Sequence, residues 1–328
     1  MNIKRVIGYS AIAGSLAAFS AQAVEMSVSG SAKVTYKNNH SSEVTGNPYG
    51  MNTSMAFKGS GDVNGYETSL TIVSNDLNTG MSSAALTVDM GDMGSITFDQ
   101  GTGAGGISTI DDKTPSAYEE VWDGLDAVTG TANGLVGGGN SGVFVYKTTL
   151  ASNSLSIQYG KGGSANNGDN GNTEGASGSS IDFAITNQSI MDGLDVGIGY
   201  GLIQNGQEGG DDEDEHMVAY VTYSMGGFTV GYTQSALDEG DAGGQNEYAM
   251  GWSIAANLME GLSVSYGERE VEHANAGSAD VTEDMDGAAL AYTMGSATLA
   301  IQHNESSNNG GTQGSDDENT EIALSLSF

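Results

Sequence analysis

From Val24 onward the chain repeats one pattern, segments in which apolar and small polar residues alternate, separated by stretches rich in Gly, Asn, Asp and Ser. Alternation of period two puts successive side chains on opposite faces of a strand. The last segment shows it most plainly: Ile322, Leu324, Leu326 and Phe328 share one face, polar and small residues share the other, and the chain stops on the aromatic. Earlier segments read the same way over Val24 to Lys37, Met51 to Asp62, Tyr66 to Asp76, Met81 to Met90 and Ser95 to Gln100. After a long interval come Val143 to Leu150, Ser154 to Lys161, Ile181 to Ser189, Leu194 to Gln204, Glu215 to Met225 and Phe228 to Ala236. Glu247 to Asn257, Leu262 to Glu272, Met285 to Met294 and Ala297 to Ser306 complete the series.

Connections between these segments alternate in kind, long then very short. The short ones carry turn chemistry, with Asn64-Gly65 the strongest hairpin dipeptide and Gly226-Gly227 and Gly295-Ser296 further along. The pattern predicts an all-β chain of about sixteen strands, with about seven short turns and eight longer loops; shifted boundaries would give about fourteen or eighteen. Strands of roughly ten residues, at about 3.3 Å per residue and a tilt near 45°, match the apolar thickness of a bilayer. Val28, Ala32 and Val34, then Leu194, Val196, Ile198, Tyr200 and Leu202, then Leu262, Val264 and Tyr266, are expected to face outward. Tyr36, Tyr66, Tyr159, Phe228, Tyr232 and Tyr292 sit near strand ends, as interfacial aromatics of a barrel do and as tyrosines of soluble sheets also do.

The beginning of the chain decides between a soluble sheet and a membrane one. Lys4 and Arg5 precede an apolar stretch from Val6 to Phe19, and Ala21-Gln22-Ala23 offers a small-x-small cleavage site. Residues 1–23 therefore read as an export leader and 24–328 as one barrel domain. The stretch is too short, and too polar at Tyr9, Ser10 and Ser15, for a spanning helix. Exported, without a further apolar span, and closing on an aromatic strand, the chain is expected to enter a bacterial outer membrane as a closed antiparallel barrel.

Composition narrows the chemistry. There is no cysteine, which excludes disulfides, thiolate metal sites and thiol catalysis. The formal net charge is −33, and it becomes more negative when Lys4 and Arg5 leave with the leader. Such a surface repels nucleic acid and attracts cations. Because the acidic residues concentrate in the connections while the segments between them keep their alternation, the charge does not imply disorder.

One connection is much longer than the rest, running from Gln100 to Val143 without strand periodicity; loops of that length are usually functional or disordered. It is crowded with Asp111, Asp112, Glu119, Glu120, Asp123 and Asp126, with Lys113 among them. Lys33, Lys37, Lys58, Lys147 and Arg269 fall at positions whose strand parity points inward. Opposite charges across a narrow passage would create a transverse field acting on polar solutes, whereas the alternative is solvated loop carboxylates and rim lysines.

At this point the chain resembles the general porin family of Gram-negative bacteria. The resemblance rests on the cleavable leader, "VDMGDMGSITFDQG" running into the long third loop, the strand count and the terminal Phe328. It implies a sixteen-stranded transmembrane barrel, a homotrimer, and a third loop, 101–142, folded into the lumen as the pore constriction. It also implies that Lys33 and Lys58, on the first two strands, belong to a basic wall opposite the acidic loop. The expected function is passive diffusion of small hydrophilic solutes and ions with a preference for cations, and not enzymatic. Outer-membrane lipid, lipopolysaccharide and the outer-membrane assembly machinery, the last through the Ile322–Phe328 strand, are the expected partners.

Other readings compete at particular residues. The carboxylates Asp211, Asp212, Asp214, Asp316 and Asp317 suit calcium's oxygen preference, although no spacing matches an EF-hand and solvated charge is the simpler reading; no other cofactor is expected. Gly101 to Gly106 formally fits GxGxxG but lacks the helix that would aim donors at a phosphate. A barrel hydrolase would need a serine, a carboxylate and one of His40, His216, His273 and His303 to converge, and the sequence shows no such convergence. A substrate-selective channel is kept open by Tyr118 and Trp122. An acidic calcium-binding adhesin remains a reading from another class, without the tandem GGxGxDxUx repeats such β-rolls carry.

Overall fold

The structure is a computed structural model that describes residues 25–39, 46–75, 81–101, 105–111, 113–126, 142–161, 177–205, 213–240, 245–275 and 279–328. The leader, His40, Asp112, Asp211 and Asp212 lie outside the described residues. Sixteen antiparallel strands close into one barrel. They are β1 (Glu25–Asn39), β2 (Tyr49–Val63), β3 (Tyr66–Asn75), β4 (Met81–Asp89), β5 (Ser95–Asp99), β6 (Val143–Leu150), β7 (Asn153–Gly160) and β8 (Ser177–Asn187). The second half comprises β9 (Leu194–Asn205), β10 (Glu213–Met225), β11 (Phe228–Asp238), β12 (Gln245–Met259), β13 (Leu262–Asn275), β14 (Val281–Met294), β15 (Ala297–Ser307) and β16 (Asp317–Ser327). Each strand pairs with its sequence neighbours, and β1 pairs with β16.

Local sequence explains the tight turns. Asn64 and Gly65 both have positive φ, 56° and 90°, the mirror-image turn whose twist matches a hairpin. The turn between β10 and β11 brings the strands back in unbroken register from Met225 opposite Phe228 to Glu215 opposite Asp238, whereas β12 and β13 shift register between Asn257 and Met259.

The ladder runs further than apolar alternation does. In β13 and β14 it continues through Glu272 and Thr282, whose neighbours include Glu268, Glu270 and Asp284. Backbone pairing is indifferent to side-chain polarity, so strands extend past the point where their outward residues stop being apolar.

Facing follows the period-two rule throughout. Val28 and Ile198 are 59% and 58% exposed on the outer wall. The aromatics Tyr36, Tyr66, Tyr159, Phe228, Tyr232 and Tyr292 are exposed as well. Inward positions divide in two: on β8 to β16 they are largely buried, as at Asp182, Val218, Thr233, Ala249, Val271, Gln302 and Asn319, whereas on β2 to β5 Ser54, Thr71, Thr87 and Thr97 are half-exposed and Lys58 is exposed. Among the described residues no helix is long and apolar enough to cross a membrane, a statement that does not bear on strands.

The seam between first and last strands is sealed twice over. Ser31 to Asn39 pair with Ser327 to Asn319, and beyond them Gly30 and Phe328 exchange N–H···O bonds of 2.8 and 2.9 Å. A Cβ on Gly30 would collide with the Phe328 ring. Gly30→Val is therefore expected to destabilise the barrel by about 1–3 kcal/mol, read as an earlier urea midpoint in detergent micelles. Gly59→Val, where the added side chain meets open space, should leave the midpoint unchanged. Equal midpoints for the two variants would show that the seam does not depend on this close approach.

Candidate functional site

The segment 105–126 is held to inward-facing side chains of the wall from one side of the barrel to the other. At its start three successive N–H groups donate to strand side chains: Gly105 to Gln158 (3.1 Å), Gly106 to Ser156 (2.8 Å) and Ile107 to Asp182 (2.7 Å). A single 3₁₀ turn, Gly106–Thr109, follows. Ile107 and Ile110 are fully buried against Ala184, Val218 and Tyr220. Glycines make the room: a Cβ on Gly199 would press on both isoleucines, and one on Gly201 would press on Ile107.

The same device marks the rest of the path. Gly231 lies under Pro115 and Gly267 under Val121. Ser253 donates to the Pro115 carbonyl (2.7 Å), and Ala117 donates to Ser265 (2.9 Å). Gln302 both accepts from the Glu119 N–H and donates to the Glu120 carbonyl, which Asn304 also reaches at 2.9 Å. Asp126 N–H ends the run on Asp317 (2.7 Å). Trp122 and Leu125 are buried with Ala249, Val271 and Met285.

Charged residues divide into those the segment engages and those it leaves facing water. Lys33 contacts Glu119 at 2.6 Å, and Lys37 contacts Glu321 of β16 at 3.0 Å. Tyr118 donates to the same Glu321 at 2.7 Å. Burial, then the Glu321 acceptor and the nearby Glu119, hold the Tyr118 phenol well above its usual range, so it stays a donor. Asp123 accepts from the Glu120 N–H. Arg269 points inward but is only 2% exposed, stacked 4.6 Å from the Trp122 ring, and so does not meet water. Lys58 is exposed on β2. Asp111 is half-exposed. Lys147 and Lys113 border a cavity of about 750 Å³ at the turn end of the barrel, and Lys113 also lies 5.8 Å from the Tyr220 ring.

Of the carboxylates considered for calcium, the described ones are not gathered in one place. Asp214 stands on β10, while Asp316 and Asp317 adjoin β16, with Asp317 accepting from Asp126 and Glu318 N–H groups. The histidines also separate: His216 and His273 are buried in the wall, and His303 is exposed on the outer face beside Glu305. His273 lies between Glu247 (3.4 Å) and Glu283 (3.2 Å). Both ring nitrogens thus face carboxylates, an arrangement an imidazolium satisfies with two donors.

Sequence reasoning did not single out Gln158, Asp182, Gln302, Asn304, Asn319 and Glu321, the inward polar residues that hold the segment. Their signal was available: large hydrogen-bonding side chains at inward positions, beside strands whose inward positions are glycine.

No family model and no curated protein matches the chain. Solved structures do. OmpT, an outer membrane protein of Vibrio cholerae also solved in a trimer form, aligns with a TM-score of 0.68 at 13% identity over 94% of this chain and 99% of its own. The anion-selective porin from Comamonas acidovorans gives 0.65 at 11% identity over 93% and 100%. Salmonella typhi OmpF gives 0.65 at 14% over 93% and 98%. The chain therefore has the fold of the bacterial outer-membrane porins, a closed sixteen-stranded antiparallel barrel.

Asp182 anchors the start of the segment through one hydrogen bond whose loss leaves a buried N–H unpaired. A cysteine placed at Ile110 reports on that anchor, since the chain has none of its own. Adding Asp182→Ala is expected to speed maleimide labelling of Cys at 110 about tenfold, the equivalent of roughly 1.4 kcal/mol of lost anchoring. An unchanged rate would show that Asp182 does not hold the segment.

Proposed function

We propose that this chain is an outer-membrane diffusion channel for small hydrophilic solutes and ions, working as a trimer and not as an enzyme. The observation that carries the reading is the division of the inner wall. A barrel with an apolar outside and a polar inside, filled along β8 to β16 by residues 105–126, leaves the Ser- and Thr-rich face of β2 to β5 open to water. Water and solutes pass along that face, beside the half-exposed carboxylates of the segment, which narrows the lumen as its constriction. The porin fold supports a channel, and the trimer form of the Vibrio cholerae protein supports the assembly. The outward row Ile322, Leu324, Leu326 and Phe328 presents an apolar strand to lipid and to assembly factors.

The acidic residues concentrated in the connections support a cation preference at the mouth, while Lys33 with Glu119 and Lys37 with Glu321 form pairs that are neutral along the wall. Lys58 opposes that preference. A unit charge about 7 Å from the ion path in water contributes roughly 0.6 kcal/mol with opposite sign to a cation and to an anion, roughly 1.2 kcal/mol between them, so Lys58→Gln is expected to raise the potassium-to-chloride permeability ratio about five- to tenfold.

Single-channel recording of the purified protein in planar bilayers under a KCl gradient tests both statements. Stepwise ohmic conductance, grouped in threes, with a cation-selective reversal potential is expected. Insertion without conductance would overturn the channel reading, and a lower permeability ratio in Lys58→Gln would overturn the role given to that lysine.

A further inference from the structure

The turn end of the lumen holds a cavity of about 750 Å³ between the segment and the inner faces of β6 to β10. Two of its lining residues are lysines, Lys113 from the segment and Lys147 from β6. In a chain with so few basic residues, three other inward cations are engaged, Lys33 and Lys37 by glutamates and Arg269 by Trp122, while Lys58 stands apart on β2, outside this cavity. Lys113 and Lys147 have no ion-pair partner among the described residues, and Lys113 has only the face of Tyr220. Both lysines border one pocket that is open to solvent.

The rest of the lining accepts and donates hydrogen bonds to a neutral polar body. Thr149 and Ser154 bring hydroxyls, while Thr109 donates its proton to the Gly106 carbonyl and keeps lone pairs for a donor, and Ser156 is buried and already accepts the Gly106 N–H. Three carboxylates also line the cavity, and two already have donors: Asp195 accepts from Tyr220 and Gln188, and Asp89 accepts from the Gly91 N–H. Asp92 remains open at the rim. A carboxylate-bearing ligand with hydroxyl donors satisfies both kinds of group, its anion on the two lysines and its hydroxyls on the threonine, serine and aspartate oxygens. A bare anion would meet the aspartates with nothing to donate, and a neutral sugar would leave the ammonium groups without a counter-charge.

We infer that this cavity is a binding subsite for small hydroxylated carboxylates, of the sugar-acid class, in transit through the channel. The inference rests on the channel reading of the barrel and specifies a solute for it. Lys113 and Lys147 hold the carboxylate, and the cavity sits to one side of the passage along β2 to β5.

The test is ion-current recording of the full-length protein in planar bilayers at low KCl concentration, with gluconate, glucose and acetate as probes. Gluconate is expected to reduce the KCl current in a saturable way, with half-effect at a concentration at least about tenfold below that of acetate, and glucose is expected to have no saturable effect. Lys113→Gln combined with Lys147→Gln should weaken the gluconate effect about tenfold or more while the barrel still conducts KCl, which shows that the variant folds. Equal half-effects for gluconate and acetate would overturn the hydroxyl recognition. An unchanged gluconate effect in the double variant would overturn the subsite while leaving the channel intact. A wild-type protein that inserts without conducting KCl would overturn the channel reading itself, and this inference with it.

Discussion

Everything in this barrel depends on closure of the backbone ladder. In a bilayer core there is no water to satisfy a free N–H or C=O, and each unsatisfied group costs several kcal/mol. A sheet in that environment must have no edges. Pairing β1 with β16 removes both at once, and the final Gly30–Phe328 exchange carries the pairing to the last residue of the chain. Once the ladder closes, the period-two facing rule holds for all strands together, because a slip of one residue in any strand would turn its whole outward row inward.

The second constraint is volume. A barrel of sixteen strands encloses more space than its own inward side chains fill, and residues of 105–126 pack on the inward side chains of that wall. The wall is shaped for the purpose, with glycine at Gly199, Gly201, Gly231 and Gly267 where the segment comes closest, and amides at Gln158, Gln302, Asn304 and Asn319 to meet its backbone. A segment without regular secondary structure carries many polar backbone groups that must be paired when covered. Side chains of the wall supply that pairing here, which is why amides and carboxylates such as Asp182, Gln302, Asn304 and Asn319 stand among the glycines and alanines on the inner face of β8 to β16.

The sequence made the barrel legible and the segment's path illegible, for one reason. Strand number, turn positions and facing all come from local, repeating signals, such as Asn64-Gly65 and the Ile322–Phe328 row. The route of 105–126 is set by contacts between residues far apart in the chain, such as Tyr118 with Glu321 or Asp126 with Asp317, and no local period encodes them. Strand parity placed Arg269 inward but could not show that Trp122 covers it. Parity likewise put Lys33 on the inner wall, while the carboxylate it touches, Glu119, is identified only by the fold.

Net charge is a poor guide to the sign of the lumen, and the structure shows why. Most acidic residues sit in connections and strand ends, where water and salt screen them over about 10 Å. Charges along the inner wall act at closer range and with less screening. There the acidic and basic groups partly cancel in fixed pairs, Lys33 with Glu119 and Lys37 with Glu321. Those that do not cancel are unevenly placed: Lys58 on β2, Lys147 on β6 and Lys113 on the segment, against carboxylates at the turns. On the proposed channel reading, a cation drawn to the mouth by acidic loops would meet lysines on one side of its path, and an anion repelled at the mouth would find them once inside. On that reading the loops would govern which ions arrive and the lysines Lys58, Lys113 and Lys147 which solutes linger.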